Sequence, residues 1–298
     1  MITFREALKS KDFALTAKLS MARGQNADDL VAEARTLSQV VDAIQIPDSP
    51  YARPHISSIA AAALIIKAGI DPIVHMNCRD RNRIAIQSDL LGAQALGVSN
   101  VLLMRGTSLP ADHMPRTTNV FDLSAIDFIR TAAAIRDGEA FSGGRLPDAP
   151  ELYIGAIGTA FRPIDEWKPE KLIVKADAGA QFIQLQVCMN ADAIKDYVAK
   201  IVAAKLTWRL QILAGLAIFP SAEAAIKMKK MRPEVAIPRA VIDRLEGAAD
   251  PVQEGIAICA EILAELAGTP GIAGANLMTT GGPESIIAAV RKSGVRGE

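Results

Sequence analysis

The chain has 298 residues, of which half are hydrophobic and 22% are charged, so it carries enough apolar side chain for a large core. Lysine and arginine total 33, as do aspartate and glutamate, and this balance argues against partners such as nucleic acid or a membrane surface. The three cysteines lie far apart, and the N-terminal segment lacks the apolar core of a signal peptide. No apolar run approaches the roughly 18 residues of a membrane span. We therefore expect a cytoplasmic protein.

Short β-like runs alternate with helix-like stretches along the chain. The predicted strands cover 13–18, 42–46, 72–76, 100–104, 152–157, 181–186, 210–214 and 271–275. The predicted helices that follow them cover 26–40, 55–68, 81–96, 123–136, 166–178, 190–204, 220–230 and 282–293. Eight strands, each followed by a helix, are typical of an α/β protein built as a closed (β/α)8 TIM-type barrel. We predict one such barrel domain over residues 1–298, with a doubly wound open sheet as the alternative.

Two regions interrupt the regular spacing. Residues 107–122 and 137–150 are rich in Pro, Gly, Asp and Thr and are predicted to be loops. Residues 237–268 predict two extra helices before the last strand, and Pro238 stands where prolines commonly begin a helix.

Polar residues follow the predicted strands at the ends where parallel barrels bind ligands. Two apolar runs show this best: one ends in His75, Met76 and Asn77, and the next ends in Arg105, Gly106 and Thr107. The strand ends together are predicted to assemble Lys18, Asp48, His75, Asn77, Arg105, Thr107, Thr159, Gln186, Gly215 and Asn276.

This set excludes several kinds of site. It has one carboxylate and no thiol, so it lacks a nucleophile–base pair for acyl transfer. His55, His75 and His113 are far apart in the sequence, without an HxH or HExxH motif, and no metal is expected. No GxGxxG or P-loop pattern occurs at a strand–helix junction. The set is suited to a polar, planar or phosphorylated small molecule.

Four segments resemble the methylenetetrahydrofolate reductases, a family of flavin-containing (β/α)8 enzymes. HMNCRDRNR at 75–83 is similar to the family's His-x-x-Cys-x-Asp-Arg-Asn segment, and residues 86–106 resemble the stretch that leads to its Arg-Gly-Asp turn. KADAGAQFIQLQ at 175–186 and the residues at 255–279 resemble two later family segments. Four matches in the family's order indicate its fold and suggest its chemistry.

The resemblance implies an enzyme, a one-carbon folate oxidoreductase. It would interconvert 5,10-methylenetetrahydrofolate and 5-methyltetrahydrofolate by hydride transfer through FAD, with NADH or NADPH as co-substrate, and a homo-oligomer is usual in the family. The implied FAD contacts are His75, Asn77, Arg105, Gly106 and Lys175. The expected substrate contacts are Asp48, Gln186 and Asn276.

Both acidic residues of the family's pattern are replaced in this chain. LTAKLSMARG at 15–24 aligns with a first strand that carries a glutamate followed by Pro-Pro, but it has Lys18, then Met21 and Ala22. Thr107 replaces the aspartate of the Arg-Gly-Asp turn. In the family the glutamate helps to open the methylene bridge, and a lysine can protonate N10 only if its pKa is lowered. Lys18, Thr107 and Gln186 are therefore the catalytic candidates, and the carboxylates left to supply an acid are Asp48, Asp80 and Asp177.

Other functions stay open on the sequence. The chain could transfer hydride directly between nicotinamide and folate without a flavin, act as a pterin-binding partner subunit, or be a methyltransferase that uses a corrinoid protein. Some candidates also have structural alternatives. Asp80 is expected to cap a helix, and Asn82 is expected to be functional. Lys175 could pair with Asp177, and Cys78 is expected to be a small buried residue. Lys18 would face outward if the strand register shifted by one residue.

Overall fold

The computed structural model of the protein describes residues 3–22, 24–109, 116–139 and 143–297. Eight parallel strands close into a barrel in sequence order, and β1 pairs with β8. The strands are Ala14–Lys18 (β1), Ala43–Ile46 (β2), Pro72–Asn77 (β3), Asn100–Met104 (β4), Tyr153–Gly158 (β5), Phe182–Val187 (β6), Gln211–Ile218 (β7) and Gly274–Thr279 (β8). The predicted (β/α)8 barrel is confirmed, and the open sheet is excluded. His113 and parts of both predicted loops lie outside the described residues.

Helices follow the strands close to where the sequence places them. They are Phe4–Ser10 (α1), Ala27–Leu37 (α2), Ser58–Lys67 (α3), Arg83–Ala95 (α4), Ala125–Arg136 (α5), Glu170–Asp177 (α6), Ala191–Ala203 (α7), Ala222–Met231 (α8), Arg239–Gly247 (α9), Pro251–Ala267 (α10) and Glu284–Ser293 (α11). Short 3-10 turns cover Pro50–Ala52 and Leu206–Trp208, and the Trp208 side chain is 82% exposed. None of the helices in these ranges is long and apolar enough to cross a membrane.

The residue that begins α4 differs from the expectation. Asn82, not Asp80, is its N-cap, because the Asn82 side chain accepts a hydrogen bond from the Ala85 backbone N–H at 2.9 Å. Asp80 instead forms an ion pair with Arg79 at 2.6 Å. Asn82 therefore has a structural role in the helix start.

The last two strands end later than predicted. Gly215 lies inside β7, where an added Cβ would come within 2.3 Å of the Leu185 carbonyl oxygen, so glycine is needed for close contact with β6. Gly271 has a φ of +89° and belongs to a turn before β8, which shifts that strand toward the C-terminus. The expectation that Gly215 and Asn276 mark strand ends is therefore wrong, since both lie within their strands.

The two extra helices predicted over 237–268 are present as α9 and α10. Helix α10 packs on β7, as the outer helix of that barrel unit should. Helices α8 and α9 form an insertion at the carboxyl end of the barrel, because the chain between them pairs with the end of β6. There the Ala236 N–H donates to the Val187 carbonyl at 2.9 Å, and the Met189 N–H donates to the Ala236 carbonyl at 2.7 Å.

The barrel interior has an apolar lower part and a polar upper part. Helix α1, which the sequence analysis did not predict, places Phe4 under the barrel, where it packs with Tyr153 and Phe182 at ring-centroid distances of 6.0 and 5.4 Å. The other members of this lower cluster are Ala43, Ile73, Leu102 and Leu213. Above it lies a buried polar layer formed by Thr16, Gln45, His75, Gln184 and Asn276. This layer is the floor of the cleft at the carboxyl ends of the strands, here called the mouth.

Candidate active site at the barrel mouth

Lys18 lies on the inner face of β1. It is two residues after Thr16, which hydrogen-bonds to other interior side chains, and alternate residues of a strand share a face. The outward orientation is therefore excluded. The Lys18 ammonium has no hydrogen-bond or ion-pair partner among the residues that the structure describes.

Arg232 is a second cation at the mouth, and sequence reasoning missed it. Its guanidinium approaches the Gln186 Oε1 at 3.4 Å and pairs with Glu234 at 2.9 Å. Burial, together with the positive charge of Arg232, lowers the pKa of Lys18 to about 8. Arg232 follows α8, and only the pairing of the next segment with β6 brings it beside Gln186. No local motif signals this placement.

The polar layer forms one hydrogen-bonded chain below these cations. The His75 ring nitrogen Nε2 lies 3.0 Å from the Gln45 Oε1, and the Gln45 amide donates to Thr16 and to Gln184, each at 3.0 Å. The Thr16 hydroxyl donates to the Asn276 Oδ1 at 3.1 Å. Burial, with the charges of Lys18 and Arg232, lowers the pKa of His75 to about 3. His75 is therefore a neutral imidazole at physiological pH.

Asp48 and Asn77 are engaged with the protein itself. The Asp48 carboxylate accepts from Arg81 at 2.6 Å and from the Asn77 backbone N–H at 3.0 Å. The Asn77 side chain donates to Asp48 and accepts from the Arg79 backbone N–H at 2.9 Å. These bonds connect the loops after β2 and β3, and the ligand contacts predicted for both side chains stay predictions.

The buried Asp48 carboxylate is expected to contribute strongly to the stability of the fold. Asp48→Ala removes a carboxylate that is only 5% exposed and that accepts from both Arg81 and the Asn77 backbone N–H. Arg81 keeps its second ion pair, with Asp89 at 2.7 Å. Because the Asn77 donors lose their acceptor while Arg81 stays paired, we expect a loss of about 2 to 3 kcal/mol of unfolding free energy, measured by urea denaturation. The matched control is Asp177→Ala, which breaks the exposed pair with Arg209 and should cost at most about 1 kcal/mol. Equal losses in the two variants would contradict a buried-pair role for Asp48.

The other two carboxylates do not replace the missing acids. Burial raises the pKa of Asp80, but the ion pair with Arg79 outweighs it and the pKa lies below the ordinary value. Asp177 is at the end of α6, near the amino ends of the strands, and pairs with Arg209 at 2.7 Å. The Lys175–Asp177 pair, which was a structural alternative, does not form, because Lys175 donates to the Ile157 carbonyl.

The Arg105-Gly106-Thr107 turn packs on the end of β3. The Arg105 guanidinium carbon lies 4.0 Å from the centroid of the Phe121 ring, a cation–π contact. Gly106 has a φ of +82°, and an added Cβ would lie 3.2 Å from the Asn77 side chain. The turn therefore requires glycine for its own conformation. Thr107 is exposed.

Cys78 is buried, as expected, and burial raises the pKa of its thiol to about 11. Within the described ranges, no three His, Cys, Asp or Glu side chains are grouped to hold a metal ion.

A cavity of about 620 Å³ opens where β5 meets α6. Lys168, Lys171 and Lys175 line it together with Glu166, Glu170 and the exposed Thr159. Its aromatic side is formed by Phe161, Trp167 and Tyr197, with the last two rings 5.0 Å apart. Burial and the neighbouring Lys171 lower the pKa of Lys175. Three lysines beside aromatic rings are suited to a ligand that combines phosphate groups with a planar ring, and the donor set fits the diphosphate of FAD.

The sequence profile of the family described as methylenetetrahydrofolate reductase matches residues 3–294. A Caenorhabditis elegans protein named probable methylenetetrahydrofolate reductase (NADPH) is 26% identical over 197 residues, which are 64% of this chain and 26% of that protein. The match thus spans about a quarter of that relative's length.

Solved structures share the fold at low sequence identity. An uncharacterized Clostridium thermocellum protein, described as binding two copies of 5-methyl-5,6,7,8-tetrahydrofolic acid, has a TM-score of 0.65 at 13% identity and covers 98% of both chains. DmoA from Hyphomicrobium sulfonivorans has a TM-score of 0.56 at 11% identity, covering 93% of this chain and 85% of its own. These structures support the barrel alone, whereas the profile match covers nearly the whole chain, and the chain therefore belongs to the methylenetetrahydrofolate reductase family.

Proposed function

We propose that the protein is a one-carbon folate oxidoreductase that interconverts 5,10-methylenetetrahydrofolate and 5-methyltetrahydrofolate, with NADH or NADPH as co-substrate and FAD as the hydride carrier. One observation carries the proposal within this family. The N–H groups of Lys18, Gln186 and Asn276 have no partner in the described part of the chain and surround a mouth whose carboxylates are paired. A folate ring offers carbonyl and nitrogen acceptors to such donors. The Clostridium neighbour described as binding methyltetrahydrofolate supports this ligand class.

FAD would be held mainly through its phosphates. Lys175 is the predicted contact that lines the lysine-rich cavity, and Lys168 and Lys171 lie beside it. Arg105 is exposed at the neighbouring turn and keeps its guanidinium edge available while it stacks on Phe121. When bound, FAD supplies the two-electron chemistry that links nicotinamide to folate.

Lys18 is the proposed proton donor in place of the family's glutamate. When the bond between the methylene carbon and N10 breaks, N10 takes a proton from the Lys18 ammonium, and the electron pair on N5 forms the iminium. An ammonium becomes neutral as it donates, so Lys18 no longer repels the cation that it helps to create. A pKa of about 8 keeps both protonation states accessible near neutral pH.

A second candidate is direct hydride transfer from nicotinamide to folate without a flavin. The observation that favours it is that two of the predicted FAD contacts are used by the protein. Both polar ends of the Asn77 side chain are bonded to Asp48 and to Arg79, and Gly106 packs against Asn77. NADH versus NADPH and the homo-oligomeric state stay predictions.

The test combines flavin retention with turnover. We expect the purified protein, incubated with excess FAD and freed of unbound cofactor, to retain flavin absorbance that bleaches anaerobically with NADH or 5-methyltetrahydrofolate, and to form the folate product detected by mass spectrometry. Lys175→Met should lower flavin retention at least about tenfold, whereas Lys67→Met on the far end of α3 should not.

The possible outcomes separate the two candidates. A colourless protein that still converts folate with NADH would replace the first candidate by the second. A protein that binds folate but yields no product with either nucleotide would contradict both.

A further inference from the structure

The orientation of one buried amide determines which side-chain atoms donate and which accept hydrogen bonds along the polar layer. The Gln184 side chain lies 3.0 Å from the Leu185 backbone carbonyl, which can only accept a hydrogen bond. Gln184 must therefore present its NH2 group to Leu185 and its Oε1 to Gln45. Gln45 in turn must present its NH2 group to Gln184, at 3.0 Å.

The orientation of the Gln45 amide in turn determines which ring nitrogen of His75 carries the proton. The two N–H groups of the Gln45 amide are used by Gln184 and Thr16, so its Oε1 faces the Nε2 of His75 at 3.0 Å. Because that oxygen accepts, the proton of the neutral imidazole must be on Nε2. The Nδ1 of His75 is then a bare acceptor, with no partner among the described residues.

The same chain leaves a donor at Asn276. The Thr16 hydroxyl accepts from Gln45, and its proton has two acceptors within reach. The Asn276 Oδ1 at 3.1 Å is nearer than the Ala275 carbonyl at 3.5 Å, so the hydroxyl donates to Asn276. The Asn276 amide oxygen is therefore occupied, while its NH2 group has no partner in the described ranges. His75 is 7% exposed and Asn276 is 2% exposed. Both residues are therefore enclosed by the protein at the base of the mouth.

We propose that this buried chain makes His75 Nδ1 the acceptor for a ring N–H of a planar lactam heterocycle, with Gln45 as the positioning residue and the Asn276 NH2 group as a donor to an acceptor atom of the same ring. The inference deepens the proposed function, because that function brings two such heterocycles to the mouth, the pterin ring and the flavin ring. Both carry an N–H beside a carbonyl, so the experiment has an arm for each.

The tautomer is measured on the wild-type protein without any ligand. In a long-range nitrogen–proton spectrum of histidine-labelled protein, with His75 assigned by His75→Gln, we expect a protonated Nε2 and an unprotonated Nδ1 from pH 5.5 to 8. The groups around the ring that carry charge are Lys18 on β1 and Arg232 after α8. A protonated Nδ1, or a ring that ionises within this range, would overturn the proposal.

The ligand is tested with N-methylated probes. Methylation of the lactam nitrogen of a reduced pterin, or of a flavin, removes the N–H that His75 should accept. For the heterocycle that His75 contacts, either the pterin or the flavin, we expect the methylated probe to bind at least about tenfold more weakly than its parent, which corresponds to about 1.4 kcal/mol. In Gln45→Met the imidazole loses its partner, so the difference should shrink below about threefold and the His75 spectrum should show both tautomers. Gln87→Met, the same change on α4, should retain both properties.

The outcome also separates this inference from the proposed function. Discrimination by the pterin pair or by the flavin pair identifies the heterocycle, even if the protein shows no turnover. Equal binding of parent and methylated probes in both arms would overturn the inference, even if folate turnover is observed.

Discussion

Lys18→Met is expected to lower the turnover of 5,10-methylenetetrahydrofolate by at least about a hundredfold, in line with the usual contribution of a positioned proton donor. The wild-type rate in this direction requires the protonated amine, so it should fall as the pH rises through about 8. In the opposite direction the neutral amine takes the proton from N10, and the rate should rise over the same pH range. Steady-state kinetics from pH 6 to 9.5 in both directions provide the measurement.

Two variants separate proton transfer from charge. Lys18→Arg retains the positive charge but cannot release its proton near neutral pH, so it should be about as slow as Lys18→Met. Arg232→Met removes a repulsive charge, so it should raise the pKa of Lys18 and move the inflection to higher pH. A Lys18→Arg enzyme with the wild-type rate and pH profile would contradict the proton-donor role.

Gly255→Ala is expected to destabilise the fold by about 3 kcal/mol, because it forces overpacking against the backbone. Gly255 lies on the face of α10 that meets the segment after β7, and an added Cβ would sit 2.0 Å from the Phe219 carbonyl oxygen. The atoms that the added Cβ would meet belong to the Phe219 backbone, which cannot turn aside as a side chain can, so the helix must move away from the barrel. The measurement is the midpoint and slope of urea unfolding.

Gly92→Ala is the matched control for this substitution. Gly92 lies within α4, and an added Cβ would meet no atom within 4 Å. The same change should therefore stabilise the protein by about 0.5 to 1 kcal/mol, because alanine is a better helix former than glycine. Similar unfolding midpoints for the two variants would contradict the close approach of α10 to Phe219.

The sequence predicts the barrel well because its signals are local. Apolar runs and helix periodicity are recognised from residues a few positions apart, and the structure confirms the strands and helices that they predict. The errors arise where distant contacts decide. Gly215 resembles the end of a strand in the sequence, but it continues β7 because β6 lies close against it.

The candidate site is less predictable than the fold. Lys18, His75 and Gln186 were identified because they lie near strand ends, where residue type and position suffice. Arg232 was missed because its approach to Gln186 depends on an inserted segment that pairs with β6. Gln45 and Gln184 were missed because their partnership requires the register of strands from opposite parts of the barrel. The bonds between Asn77 and Asp48 join segments that are 29 residues apart, so the sequence does not show them.

The placement of the two tryptophans gives this protein a built-in optical reporter. Trp167 lines the lysine-rich cavity and lies 5.0 Å from the Tyr197 ring, whereas Trp208 is 82% exposed on its 3-10 turn. Emission from the exposed indole is set by water, while emission from the cavity indole depends on what occupies the cavity. In a Trp208→Phe protein, excited at a wavelength that tyrosine does not absorb, the remaining fluorescence comes from Trp167 in the cavity. A flavin that enters the cavity would quench this fluorescence by energy transfer.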